Sequence, residues 1–358
     1  MADSLPSTTA RQKLAGAIKR WALDLGFQQA GITGTNLDTA ERLWREWLQR
    51  GWHGEMEYMA RHGSMRGRPD ELFPGTLSII SVRIDYLPET SEAMWRVLNT
   101  PEAGYISRYA LGRDYHKVVR QRLQRLAQKI QQAIGAFDYR VFCDSAPVLE
   151  KPLAQRAGLG WIGKHTNLIH RTAGSWFFLG EIYTDLDLPH DAPTRDHCGT
   201  CRACIEICPT GAIVAPYQLD ARRCIAYLTI ELRGSIPEPF RPLIGNRIYG
   251  CDDCQLVCPW NRFAQISAEQ DFQPRHGLDH IGLIEALQWD EATFLHKTEG
   301  SAIRRIGYRQ WLRNVAVALG NAPSHPEMRD ALARKLATTD NAIVREHLSW
   351  ALQRQSEP

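Results

Sequence analysis

Eight of the nine cysteines of this 358-residue chain fall in the stretch 198 to 259, and that concentration limits what the chain can be more than any other feature. The run reads Cys198-x2-Cys201-x2-Cys204-x3-Cys208-Pro209, then a lone Cys224, then Cys251-x2-Cys254-x3-Cys258-Pro259. Thiols this dense serve as metal ligands or as disulfide partners. Structural zinc asks for two CxxC pairs separated by a loop, and a third cysteine at the same short spacing with a proline after the last departs from that. Disulfides need an oxidising compartment. The N-terminus MADSLPSTTA has neither the basic start nor the apolar run that would take the chain to one.

The spacing instead follows the two-cluster ferredoxin pattern, in which three thiolates on tight turns wrap one iron–sulfur cube and the fourth serves the other cluster. The second run is one cysteine short of a standard copy, and Cys224 makes up the number. Two sites of four result: Cys198, Cys201, Cys204 and Cys258 on one cluster, and Cys208, Cys224, Cys251 and Cys254 on the other. Cys143, outside the run, reads as an ordinary buried thiol.

With 44% hydrophobic residues the chain can bury real cores, and its length suggests roughly two or three domains of about 100 to 200 residues. No window reaches the roughly 18 apolar residues of a membrane span, so a soluble, cytoplasmic protein is expected. The net charge of +3 says little, but the charge is unevenly placed.

The first 190 residues read as an α/β domain. Residues 9 to 33 suggest an amphipathic helix (Leu14, Ile18, Trp21, Ala22, Leu25) broken at Gly26 and leading into the apolar FQQAGIT. A second helix, capped by Asp38 and ending near Gly51, would bury Leu43, Trp44, Trp47 and Leu48. TLSIISVRIDYL, DYRVFC and GSWFFLGEIYTDL have strand character. Asp144 falls at the carboxyl end of the second of these, where α/β sheets bind ligands; capping the helix in SAPVLEKPLAQRAG is its plainer role. Gly158, Gly160 and Gly163 permit close backbone approach to a ligand, or serve only as turns. A helix from about Tyr115 to Ile134 carries Lys117, Arg120, Arg122, Arg125 and Lys129 without an acid. Such a single-signed face is either solvated or a contact for a polyanion.

Beyond the cysteines the chain is helical in pattern. NVAVAL (314–319) and HLSWAL (347–352) overlay at a period of 33 residues, which suggests stacked helix pairs. Between Glu299 and Glu327 stand Arg304, Arg305, Arg309 and Arg313 and no acid. The last three recur every four residues and so are expected on one helix face.

Taken together, RYALGRDYHKVVRQRL, CDSAPVLEKPLA, GLGWIGKHTNLI and CGTCRACIEICPTGAI resemble the epoxyqueuosine reductases, cobalamin-dependent iron–sulfur enzymes that finish queuosine synthesis on tRNA. The resemblance spans essentially the whole chain and is most specific around Asp144 and in the order of the eight cysteines. It implies an α/β cobalamin-binding catalytic domain over 1–190, a ferredoxin-like domain with two 4Fe-4S clusters over 191–265, and an α-helical HEAT-like repeat domain that binds tRNA over 266–358. The implied substrate is tRNA bearing epoxyqueuosine at the wobble position, reduced to queuosine with loss of water. Ferredoxin-like clusters reach roughly −400 mV and below, which suits delivery of single electrons to cobalamin. Attack by reduced cobalt on the epoxide carbon and electron transfer to the ring both stay open.

By the same resemblance Asp144 is the proton donor, supported by His116 and Asp114, with a pKa expected above the usual ~3.9 through burial. Arg66, Ser107, His116, Lys164 and Asn167, together with Asp144, are the implied cobalamin contacts. Arg304, Arg305, Arg309 and Arg313 are the tRNA contacts. A monomer is expected, fed by a low-potential donor of the ferredoxin or flavodoxin class. Two other classes compete: a ferredoxin-type electron-transfer protein, against which the long α/β segment argues, and another corrinoid reductase of the reductive dehalogenase kind. Bound cobalamin separates the first from the enzymes, and turnover on tRNA separates the enzymes.

Overall fold

The computed structural model describes residues 8–356; most of the N-terminal segment read for export features lies outside them. Two long apolar strands organise the first half. Ser78–Asp85 and Phe177–Thr184 are buried almost throughout, as strands are when both faces of their sheet are covered. They pair antiparallel, Ile80 opposite Ile182 and Ser81 opposite Glu181. Gln29–Thr33 flanks one and Tyr139–Phe142 the other, both antiparallel. The domain has helices on both faces of a sheet whose strand pairs are all antiparallel, a direction the sequence reading left unspecified. A fully buried strand reads as a continuous apolar run in either direction, so the sequence pattern does not carry this information.

One face of the sheet presents Ile80, Val82, Ile84, Phe178 and Ile182 to the helices Thr8–Asp24 and Tyr115–Ile134, which contribute Ile18, Ala22, Val119, Leu123 and Leu126. On the other face Ile79, Phe142 and Tyr183 pack with Val148 and Leu153 of the helix Glu150–Arg156 and the loop before it. Gly180 sets how closely the long helix lies on the sheet: a Cβ there would stand 2.7 Å from Val119 Cγ1 and 2.9 Å from Leu123 Cδ1. At the start of that helix Tyr115 stacks on Phe178, with centroids 4.1 Å apart and planes 1° from parallel. The second helix, Asp38–Gln49, departs from expectation on its buried side. Trp44 is buried but Leu43 is 53% exposed, and Leu37 rather than Asp38 occupies the cap position.

The cysteine segment does not fold apart from its neighbours. Arg247–Tyr249 pairs in parallel with Tyr105–Ile106. One core runs from Ile106 and Leu111 through Ile230, Ile248 and Tyr249 to Trp311, Leu319 and Leu348. Shared packing therefore crosses both boundaries expected from the sequence, at 190 and at 265.

In the C-terminal part the helix Gly307–Asn321 is buried from Gln310 to Gly320 and lies against Ala342–Ser356. Positions 314 and 347, which correspond in the 33-residue overlay, do the same work. Asn314 Nδ2 donates to the carbonyls of Thr229 (2.8 Å) and Ile248 (2.9 Å), and His347 Nε2 accepts from the Ile236 amide at 3.1 Å. Each ties its helix to the cysteine segment.

Arg313 corrects an expectation. It is 1% exposed and donates to the carbonyls of Leu228, Leu232 and Gly234 at 2.7–2.8 Å, so it closes the end of the helical turn Tyr227–Glu231 and has no access to an RNA. Nor do the arginines share a helix face, because Arg304 and Arg305 lie in a 3-10 turn that ends at Gly307, where φ is +73°. The fourfold spacing places residues on one face only within one helix. Arg313→Met should strand buried carbonyls and cost about 3 kcal/mol or more, whereas Arg309→Gln, at an exposed position, should stay within about 0.5 kcal/mol. Chemical denaturation of the two variants reads the difference.

Candidate active site

The eight cysteines divide between two cavities. Cys198, Cys201, Cys204 and Cys258 line one of ≈ 220 Å³, together with His165, His197 and Trp260. Cys208, Cys224, Cys251 and Cys254 line another of ≈ 390 Å³. Burial, followed by the charges of Cys258, Cys198 and Cys201, pushes the Cys204 thiol up to about 11. Burial, then Cys224 and Asp252, raise Cys254 as well. Thiols that repel one another's charge this way become anionic together only around cations. Among the described residues no three His, Cys, Asp or Glu side chains converge tightly enough for a single ion, whereas the cavities have the donor set of a larger inorganic group.

The ≈ 390 Å³ cavity extends from its cysteines to a wall of Tyr86, Tyr109, Tyr115, Phe177, Phe178 and Leu179, with Ser107, Lys151 and Asn167 also lining it. Flat aromatic walls with a sparse polar rim suit a broad, largely apolar ligand. Lys151 Nζ donates to the Thr166 carbonyl at 3.0 Å, and burial lowers its pKa. Ser107 lines the space, but its hydroxyl is committed to Asp252 at 2.6 Å. Lys164 is not part of this cavity. Its ammonium donates to the carbonyls of Gly199 (2.5 Å) and Cys201 (2.8 Å), so it braces a cysteine loop. The nearby glycines also serve packing, since a Cβ at Gly160 would stand 2.2 Å from the Ile169 carbonyl oxygen.

A larger cleft of ≈ 950 Å³ opens beside it, lined by Arg66, Asp114, His116, Lys117, Arg120, Asp144, Arg304 and Arg305 among others. Asp144 stands two residues beyond Tyr139–Phe142 in the left-handed region, φ +50°, a conformation that costs a non-glycine residue energy and is kept where surrounding bonds over-determine it. Those bonds are present. Glu150 accepts from the Asp144 amide, Tyr115 donates its hydroxyl to Asp144 Oδ2, and His116 Nε2 lies 3.0 Å from the same oxygen. Asp114 caps the helix Tyr115–Ile134 and holds His116 Nδ1 at 2.6 Å. His116 thus stands between two carboxylates.

The electrostatics reverse one expectation. Burial works to raise Asp144, but the hydrogen bonds of His116 and Tyr115 and the charges of His116 and Arg305 outweigh it and hold the carboxyl below its ordinary range. Burial works to lower His116, and Asp114 and Asp144 overcome it, lifting the imidazole to about 9. At neutral pH the proton rests on His116 and Asp144 is ionised. Behind them burial and the Asp144 charge push Glu150 up to about 8, and burial, followed by the charges of Glu150 and Asp144, raises Glu181.

Arg66 is buried beside the cleft and donates to the Tyr58 carbonyl at 3.0 Å. Arg304 and Arg305 face the cleft from the C-terminal side, Arg305 paired with Glu231 at 3.0 Å, and Lys117 and Arg120 face it from the long helix. Arg122 is turned away, toward Glu269. Arg309 is exposed but does not line the cleft. Tyr115, Lys151, Glu150 and Glu181 were not singled out from the sequence. Glu181 had a signal there, as the one acid inside an apolar strand.

Comparisons with known proteins agree with this arrangement. Residues 66–145 match the family described as epoxyqueuosine reductase QueG, DUF1730, and residues 197–261 match the 4Fe-4S double cluster binding domain. In fold, the chain is similar to an epoxyqueuosine reductase from Bacillus subtilis solved with its catalytic aspartate loop swung out of the active site (TM-score 0.86, 27% identity, 97% of this chain and 91% of that one). A further fold likeness is to an epoxyqueuosine reductase solved with an epoxyqueuosine-modified tRNA-Tyr stem loop (TM-score 0.80, 24% identity, 96% and 99%). The epoxyqueuosine reductase of Pseudomonas aeruginosa is 57% identical over 100% of this chain and 98% of its own length. On that identity, the chain belongs to the epoxyqueuosine reductase family.

Proposed function

We propose that the protein reduces epoxyqueuosine at the wobble position of tRNA to queuosine, opening the epoxide with two electrons and two protons and releasing water. The observation that carries this reading is the wall shared by the two spaces. The ring of Tyr115 lines the cysteine-bearing cavity while its hydroxyl binds Asp144 in the basic cleft. A source of electrons and a source of protons therefore face each other across one side chain.

On this reading each set of four cysteines holds a 4Fe-4S cluster, and Tyr86, Tyr109, Phe177, Lys151 and Asn167 hold cobalamin. When bound, the corrinoid supplies strongly reducing cobalt to the epoxide. The chain supplies the rest. Opening the ring leaves an oxygen that needs a proton. His116 Nε2 gives its proton to Asp144 Oδ2, which passes it to that oxygen, with Asp114 steadying the imidazolium; the second proton comes from solvent. A cytoplasmic monomer fed by a ferredoxin or flavodoxin fits the chain; no helix among its described residues is long and apolar enough to cross a membrane. The C-terminal helices act as a short HEAT-like stack behind the turn that brings Arg304 and Arg305 to the cleft.

Purified protein given cobalamin, a low-potential reductant and epoxyqueuosine-tRNA should yield a nucleoside one oxygen lighter, and no such product would contradict the reading. Asp144→Asn, which keeps the size and removes the carboxylate that relays the proton, should slow single-turnover conversion by about 10²-fold or more, with iron content unchanged. Conversion within a few-fold of wild type would remove Asp144 from the mechanism.

The tRNA is held chiefly through phosphates, since the cations round the cleft neutralise charge without reading bases. Arg120→Glu with Arg304→Glu should weaken binding by about tenfold or more and flatten its salt dependence by about 1 for every phosphate that is no longer neutralised. Arg125→Glu, exposed farther along the same helix, should not. Equal effects from both would place the RNA elsewhere.

A further inference from the structure

Two buried N–H groups face the smaller cysteine cavity: Trp161 Nε1, directed at the Cys198 sulfur, and His165 Nε2, which has no partner among the described residues. Both belong to one hairpin, in which Trp161–Ile162 pairs with Leu168–Ile169 and the Gly163 amide donates to the Asn167 carbonyl at 2.8 Å. Lys164 fastens its tip to the cysteine loop through the carbonyls of Gly199 and Cys201.

Trp161 is fully buried and packs with Cys198, Cys258 and Trp260. His165 is 4% exposed and lines the cavity of Cys198, Cys201, Cys204 and Cys258. Its tautomer follows from its one bond. Nδ1 accepts from the Asn167 amide at 3.1 Å, so the ring proton is on Nε2, the atom left without a partner. A buried donor without an acceptor is costly, and native structures keep one only where something else satisfies it. If packing alone were needed, phenylalanine would fill either place without that cost.

We propose that Trp161 Nε1–H and His165 Nε2–H donate hydrogen bonds to sulfurs of the cluster held by Cys198, Cys201, Cys204 and Cys258 and thereby raise its reduction potential. This rests on the two-cluster reading above. Reduction adds negative charge to the cluster, and N–H donors aimed at its sulfurs favour the more negative state. Cys201, the exposed member of this set, puts this cluster nearer solvent than the other, so the donors favour its filling from an external reductant.

The test is redox titration followed by electron paramagnetic resonance on the full chain, wild type against Trp161→Phe and His165→Phe, with iron assayed in each. At a fixed potential each variant should show the reduced-to-oxidised ratio of one cluster lowered about tenfold, ~59 mV for one electron, and the other unmoved. In wild type labelled with 15N in Trp and His, pulsed resonance of the reduced cluster should show coupling to an indole and an imidazole nitrogen. Variants with full iron and unchanged potentials, or wild type without those couplings, overturn the proposal. Should a variant lose iron, the wild-type couplings decide. Absence of iron from anaerobically purified wild type would instead sink the two-cluster reading.

Discussion

The arrangement depends on Asp252, a buried carboxylate between two of the cysteines. It accepts from the Tyr105 hydroxyl (2.8 Å), the Ser107 hydroxyl (2.6 Å) and the Arg108 amide (2.8 Å), and so joins the cysteine loop to the start of the segment that leads into the helix Tyr115–Ile134. Burial raises its pKa against those bonds, yet three donors round one buried carboxylate are what make such a group tolerable. Parallel pairing of Arg247–Tyr249 with Tyr105–Ile106 extends the same junction. With both fixed, the distance from the cysteines to Tyr115 is a property of the fold and not of a flexible linker.

On the far side of Tyr115 the titratable groups are pushed apart. Asp144 has a cation and a hydroxyl as partners and stays ionised; Glu150 and Glu181 have no ion pair among the described residues and are held toward the neutral acid by burial. Environments that separate neighbouring carboxyls in this way assign acid and base roles. One negative charge is therefore concentrated where His116 can share its proton, and the basic rim formed by Lys117, Arg120, Arg304 and Arg305 lies next to it.

Sequence reading succeeded where the information is local. The helix Tyr115–Ile134 has the bounds read for it, and the structure places the Asp114 cap at its start and Gly135 at its end. It failed where the answer depends on what lies opposite. The exposure of Leu43, the burial of Arg313 and the engagement of Lys164 with the Gly199 and Cys201 carbonyls all come from partners distant in sequence. Asp144 illustrates both sides. Its position was legible, but its protonation was not, because burial and His116 act on it in opposite directions and their balance needs coordinates.

The central claim is that the proton at this site resides on His116 at neutral pH. It is tested most directly by the 15N chemical shifts of the His116 ring in the oxidised full-length protein, assigned with His116→Gln. A raised pKa means that the charged form persists as pH rises, so both ring nitrogens should remain protonated at pH 7 and lose a proton only near about 9. A neutral imidazole at pH 7, titrating near the ordinary ~6.5, would contradict the account.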